Sequence, residues 1–242
     1  MRINLENRPQ LAILIDPDKY NSSLYEPVLK AANQGTFDFL MVGGSLTFKS
    51  TADTVRKLKA DTNLPVVLFP GDLEQICYQA DALLFLSLLS GRNPEYLIGK
   101  HVLAAKRLKD SGMQIIPTGY LLIDSGGISS VQYITQTLPL PADKPQLSVA
   151  TALAGELLGM QLIYLEAGSN ANAAVPEEII SAVKADLDIP LMVGGGIRSP
   201  EQMIRTYNAG ADIVVIGSAI EQNPERINEF VSAFAEIKKS KP

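Results

Sequence analysis

Two glycine-bearing segments stand near the end of the chain: Val193-Gly194-Gly195-Gly196-Ile197-Arg198-Ser199-Pro200 and Ile216-Gly217-Ser218-Ala219-Ile220. Glycines let backbone N–H groups approach an anion closely, and a helix starting at the same place adds the positive end of its dipole. Ser218 adds a hydroxyl donor. Gly194, Gly195, Gly217 and Ser218 are therefore candidate phosphate ligands, although tight turns alone would use the same residues. Arg198 could assist or simply be solvated. A third segment is Tyr164-Leu165-Glu166-Ala167-Gly168-Ser169-Asn170. Glu166 could act as a base or accept a hydroxyl proton, and Gly168, Ser169 and Asn170 could donate to an anion; a strand-ending turn is the plainer alternative. In Ile15-Asp16-Pro17-Asp18-Lys19, Asp16 offers a carboxylate to a hard cation such as Mg²⁺, which takes only one or two such ligands from protein. Asp18 and Lys19 read as turn residues. Ser45, in Val42-Gly43-Gly44-Ser45-Leu46-Thr47, could bind metal or phosphate or cap a helix.

These segments need a scaffold that brings them to one place. Short apolar runs at Leu11–Ile15, Phe37–Val42, Pro65–Phe69, Ala82–Leu86, Gln114–Thr118, Gln161–Leu165, Pro190–Val193 and Asp212–Ile216 read as strands. They are mostly continuous rather than alternating, as in parallel strands buried on both faces. Helical patterns fall at Ser22–Gln34, Ala52–Ala60, Pro94–Lys109, Leu147–Leu158, Pro176–Lys184, Pro200–Ala209 and Pro224–Lys238. Ser199-Pro200-Glu201-Gln202 and Asn223-Pro224-Glu225 mark helix starts, with a cap and then a proline. Strand and helix alternate, so the fold class is α/β with a parallel sheet.

Eight strands within 242 residues favour one (β/α)8 TIM barrel spanning 1–242. No G-x-G-x-x-G follows the first strand, as a dinucleotide-binding open sheet would require. Each candidate segment then falls at the C-terminal end of a strand, which is the catalytic face of a barrel. The interval Pro70–Asp81 has room for only a short element. Gly119–Met160 is long and irregular, and such loops tend to be functional. Leu83–Leu89 and Tyr120–Ile123 extend the apolar character beyond ordinary strand length. They serve core packing or an apolar cleft.

Composition excludes other chemistry. Apolar residues make up 46% and charged residues 19%, which is no disordered chain. The net charge of −5 and pI near 5.0 argue against nucleic acid as a partner. One cysteine and one histidine leave no disulfide framework and no Cys/His zinc site. Cys77 reads as a small apolar packer and His101 as a structural histidine. The polar Met1–Gln10 lacks a signal-peptide pattern, and Ala82–Leu89 is too short to span a bilayer. A soluble cytoplasmic protein is expected.

Leu14-Ile15-Asp16-Pro17-Asp18-Lys19, Val42-Gly43-Gly44-Ser45, Tyr164 to Ser169, Val193 to Arg198 and Gly217-Ser218 occur in order at matching strand ends. Together with Asn93-Pro94-x-Tyr96-Leu97-Ile98-Gly99-x-His101, they resemble the geranylgeranylglyceryl phosphate synthases and the related heptaprenylglyceryl phosphate synthases. The resemblance runs from about Leu11 to Gln222 and is closer to the geranylgeranyl branch. It implies a barrel whose third helix is missing or replaced. It implies Mg²⁺-dependent prenyl transfer from a polyprenyl diphosphate to sn-glycerol-1-phosphate. By position, Asp16 and Ser45 match the Mg²⁺ ligands. Tyr164 to Asn170, Gly194, Gly195, Gly217 and Ser218 match the glycerol-phosphate site, with Glu166 and Tyr164 in catalytic roles. Some members carry a phosphate-binding lysine two residues before the first aspartate. Here Leu14 stands there, so that contact is absent or supplied by another residue, such as Arg198 or Lys19. Homodimers or assemblies of dimers, and peripheral contact with a membrane, are further expectations. Without the resemblance, an isomerase or synthase of a small phosphorylated metabolite, or a non-catalytic phosphate-lipid binder, would also suit these loops.

Overall fold

Strand alternation divides the apolar residues between two cores. In β1 (Gln10–Ile15), Ala12 belongs to the inner cluster with Leu14 against it, while Leu11, Ile13 and Ile15 pack outward under the helices. A period of two in a strand buried on both faces requires this split. The computed structural model describes residues 3–5, 8–23 and 25–240. The Met1–Gln10 reading and the full 1–242 span therefore include residues outside the described ones.

The remaining strands are β2 (Phe39–Val42), β3 (Val66–Leu68), β4 (Ala82–Leu88), β5 (Gln114–Leu122), β6 (Leu162–Glu166), β7 (Leu191–Gly194) and β8 (Ile213–Ile216). All pairings are parallel, and β8 returns to β1, closing the barrel. The helices are α1 (Glu26–Asn33), α2 (Thr51–Asp61), α3 (Lys100–Asp110), α4 (Ser130–Thr135), α5 (Pro145–Leu157), α6 (Glu177–Asp186), α7 (Pro200–Asn208), α8 (Ser218–Gln222) and α9 (Ile227–Ser240). Between β3 and β4 only a 3₁₀ turn, Leu73–Gln75, is present, so the third helix is missing as expected. No helix among the described residues is long and apolar enough to cross a membrane.

Several boundaries differ from the sequence reading. The first helix starts at Glu26 instead of Ser22, because Pro27 is tolerated only in a first turn. Leu24 lies outside the described residues. The helix expected over Pro94–Lys109 opens with a π-helical turn, Glu95–Gly99, before α3. β4 and β5 run to Leu88 and Leu122, and their pairing carries on through Ser87–Gly119 and Leu88–Tyr120. The long interval after Thr118 thus contains more strand, plus the unforeseen α4. Ser199 caps α7 through the Gln202 N–H, while Gln202 Oε1 accepts from Arg198 N.

Three strand-start aspartates share one device. Asp38, Asp81 and Asp212 each accept a backbone N–H from a neighbouring strand: Leu11, Val66 and Leu191. Each also pairs with a helix lysine: Lys238, Lys59 and Lys184. The N-terminal end of the barrel is closed by Ile3, whose backbone exchanges two hydrogen bonds with the Gln114 side chain. Function is thereby left to the other end.

Candidate active site

Inward alternation along β6 carries Leu162, then Tyr164, then Glu166 up to the barrel mouth. Glu166 is only 6% exposed. Its Oε1 accepts the Gly168 N–H at 2.8 Å. Burial raises the proton affinity of this carboxyl, against the opposing pull of Tyr164 and the Gly168 amide. Tyr164 is fully buried beside it. Its hydroxyl neighbours the Glu166 carboxyl and opposes the effect of burial on it. The β6–β7 register places Gly194 opposite Glu166. A Cβ on Gly194 would come within 2.5 Å of the Tyr164 hydroxyl and 2.9 Å of Glu166 Oε2. Glycine is the only residue that leaves this pair its space.

Tyr164, Glu166, Ser169, Asn170, Gly195, Gly217, Ser218, Asp16 and Ser45 all line one polar cavity at the mouth. Gly168 and Gly194 do not line it but adjoin Glu166, Gly168 through its N–H and Gly194 as the partner on β7. Asn170 is left-handed (φ 55°), and its N–H donates to Ser218 Oγ at 3.3 Å, joining the β6 exit to the β8 exit. The structure thus brings together every residue the sequence singled out for the acceptor's phosphate.

Asp16 continues the inward series Ala12, Leu14 and reaches the same cavity. Its carboxyl carbon would lie 4.0 Å from a Cβ on Gly44, so it rests against the loop that carries Ser45. Among the described residues no three His, Cys, Asp or Glu side chains cluster to hold a metal alone. Mg²⁺ does not need such a cage, because it usually keeps waters and takes substrate phosphate oxygens. One carboxylate and one hydroxyl that line the same open cavity fit that mode. Asp18 does other work: its carboxylate accepts the Phe48 and Lys49 N–H groups, lashing the β1 exit to the β2 exit.

Where the third helix is missing, an apolar groove opens. Leu83, Leu84, Leu86, Leu88 and Tyr120 line it, so part of the extended apolar runs faces a cleft. His101 is buried on its wall, with Nε2 3.1 Å from Ser87 Oγ and the ring edge-on to Phe85. Burial lowers its proton affinity. The groove and the polar cavity share Gly44, Ser45, Phe69, Tyr120, Val131 and Ile134. At the junction, Phe69 and Tyr120 pack against Tyr164 with ring centroids 5.5 Å away in both cases.

Sequence reasoning missed Phe69, Glu221 and the α4 residues as site-lining groups, and reached Tyr120 only as part of an apolar run with a cleft as one alternative. Only the long, irregular interval Gly119–Met160 hinted at the α4 residues. The Arg198 guanidinium is spent on the Ala171 carbonyl at 2.7 Å, outside the cavity.

The geranylgeranylglyceryl phosphate synthase of Zunongwangia profunda is 49% identical over 215 residues, covering 89% of this chain and 92% of that protein. That of Spirosoma linguale is 44% identical over 237 residues, covering 98% and 95%. The crystal structure of (S)-3-O-geranylgeranylglyceryl phosphate synthase from Thermoplasma acidophilum, in complex with its substrate sn-glycerol-1-phosphate, superposes with a TM-score of 0.88. The identity there is 34%, and 96% of this chain and 94% of that one are covered. The PcrB family model matches residues 3–237, a span that takes in every strand, the cavity and the groove, and the chain belongs to that family.

Proposed function

We propose that this chain is a prenyltransferase that joins sn-glycerol-1-phosphate to a polyprenyl diphosphate, geranylgeranyl diphosphate first among them, through an ether bond. The observation that carries this reading is the union of two unlike spaces. A polar cavity with a buried carboxyl and glycine-rich exits adjoins, across Phe69 and Tyr120, an apolar groove. An isomerase of a small phosphorylated metabolite would have no use for the groove.

The groove takes the prenyl chain and sets its first carbon at the junction, beside Tyr164. The exits at Gly168 to Asn170, Gly194–Gly195 and Gly217–Ser218 hold the phosphate of the acceptor, so two reactants meet in fixed geometry. The C1–O bond of the donor breaks, and diphosphate leaves with the electron pair. The acceptor hydroxyl oxygen bonds to C1, and its proton passes to Glu166. The ring face of Tyr164 stabilises the allylic cation as it develops. Asp16 and Ser45 would hold Mg²⁺, which supplies charge neutralisation for the departing diphosphate when bound.

On the same reading the protein works in the cytoplasm, where its single buried cysteine stays reduced. It works as a homo-oligomer, for which exposed Ile98, Val102 and Leu103 give a second copy an apolar surface, and it meets the membrane peripherally to deliver a lipid. The test is direct. The protein is incubated with Mg²⁺, labelled sn-glycerol-1-phosphate and geranylgeranyl diphosphate, and label is expected in the organic phase. Labelled sn-glycerol-3-phosphate should stay aqueous. Retention of all label in water with both acceptors would overturn the proposal.

A further inference from the structure

We infer that Lys19 is the side chain that binds the phosphate of the acceptor, with Glu221 as the residue that positions it. This rests on the reading of the cavity as a glycerol-phosphate site. Among the described residues that line the cavity, Lys19 carries the only cationic side chain, while Asp16, Glu166 and Glu221 contribute three carboxylates. A dianion entering such a field needs a compensating cation within it. Two other places in the fold could have supplied one, and neither does. Leu14 faces inward, with its Cβ 3.5 Å from a Cβ on Gly217, so the β8 exit meets an apolar side chain there. Arg198 is turned to the Ala171 carbonyl.

Lys19 is held by its contacts on the β8 side of the cavity. Its Nζ donates to Glu221 Oε2 at 2.7 Å and lies 3.3 Å from Asp16 Oδ2. Glu221 is in α8, and its N–H bonds back to the Gly217 carbonyl. The ammonium is thus tethered one helical turn from Gly217 and Ser218, the residues placed on the acceptor's phosphate. The carboxylate that holds it is 8% exposed, whereas the lysine side chain is 42% exposed. An ammonium carries three N–H donors. Two directions go to carboxylates, and a third remains for a phosphate oxygen. The arrangement fixes the cation in advance, which reduces the ordering cost on binding.

The experiment is isothermal titration of sn-glycerol-1-phosphate into the protein in EDTA, without donor. Wild type should bind. Lys19→Met should weaken binding at least 10-fold, and Lys19→Arg should recover most of that loss. Glu221→Gln, which frees the ammonium without removing it, should weaken binding by a smaller factor. In the Lys19→Met background, Leu14→Lys should restore affinity, because that position faces the same β8 exit. A merely structural role for Lys19 would not be rescued from there. Unchanged affinity in Lys19→Met, or no rescue by Leu14→Lys, would overturn the assignment. Absence of binding by wild type, in turn, would overturn the reading of the cavity itself.

Discussion

Gly195 and Glu166 share a space that admits no methyl group: a Cβ on Gly195 would lie 2.3 Å from Glu166 Oε1 and 2.7 Å from the backbone nitrogens of Ala167 and Gly168. Gly195 also has φ +81°, where an L side chain is strained. Gly195→Ala must therefore displace the Glu166 carboxylate or the β7 exit. A misplacement of about 1 Å can cost roughly 100-fold in rate, and a loss of kcat/KM of that order is expected from steady-state kinetics. Gly159→Ala is the control. Its φ is +92° but nothing lies within 4 Å of the new Cβ. It should cost about 1 kcal/mol of stability and leave kcat/KM unchanged.

Glu166 gives two coupled expectations. Glu166→Gln keeps an acceptor for the Gly168 N–H but cannot take a proton. Turnover should fall by roughly 10²–10⁴ with both substrates saturating. Because burial raises the folded-state proton affinity, the acid limb of the wild-type pH profile should lie above the ordinary glutamate value of 4.5. The stability sign follows from the same shift. A carboxyl with a raised folded pKa favours the folded state fully below its unfolded pKa, and that contribution is lost as pH rises through the folded value. At pH 7.5, well above the ordinary value of 4.5, the buried carboxyl contributes less stability than it does in acid, so Glu166→Gln should melt no lower than wild type. A clear drop in Tm at that pH would contradict the account.

The exits of β1, β2, β6, β7 and β8 were legible in the sequence because glycines, a carboxylate and apolar runs all occur locally. The interval Pro70–Asp81 showed room for only a short element, which agrees with the absent third helix that the resemblance implied. The groove was legible only as an alternative, because Leu83–Leu89 reads identically whether it faces a helix or a cleft. Phe69 and Glu221 gave no local signal at all. Phe69 gains its place by alternation after a three-residue strand, and Glu221 by standing on a five-residue helix opposite Lys19. Both depend on barrel closure, which is a long-range fact. Pro27 was visible, yet its power to delay the first helix was underweighted against the apolar pattern.

Leu86 faces the groove from β4 and is only partly buried, so the barrel should tolerate a larger side chain there at a cost of about 1–3 kcal/mol. Leu86→Trp should raise the KM for geranylgeranyl diphosphate by about 10-fold, corresponding to about 1.4 kcal/mol of lost prenyl contact. The Kd for sn-glycerol-1-phosphate should change less than about two-fold, because that ligand does not enter the groove. Equal losses for both substrates would mean that the groove is not the donor site.

Asp16 and Ser45 can be separated from general damage by titrating Mg²⁺. Asp16→Asn removes the carboxylate while keeping an acceptor for the Asp18 N–H, which Asp16 Oδ1 holds at 3.0 Å. On the proposed metal site, Asp16→Asn should weaken Mg²⁺-dependent donor binding by no less than the roughly 10–100-fold seen for outer-shell changes. Ser45→Ala should show a smaller loss in the same direction. Donor binding that responds equally to Mg²⁺ in wild type and Asp16→Asn would remove Asp16 from the metal site.

Asp81 tests what holds the opposite end of the barrel. Burial pushes its carboxyl up, but the Lys59 hydrogen bond and the Val66 N–H outweigh that and hold it below the ordinary value of 3.8. Lys59 is partly exposed, so the pair is screened and its contribution is modest. Asp81→Asn keeps an acceptor for Val66 and loses the charge, which should cost about 1–2 kcal/mol in urea unfolding at pH 7. A depressed folded pKa contributes stability above the unfolded pKa, and this is lost as pH falls through the folded value. The gap between wild type and Asp81→Asn should therefore close in acid below pH 3.8. The exposed Asp53–Arg56 pair supplies the comparison, since Asp53→Asn should shift stability by less than about 0.5 kcal/mol at pH 7. A gap for Asp81→Asn that persisted unchanged into acid would mean that packing around the side chain, and not its charge, secures the start of β3.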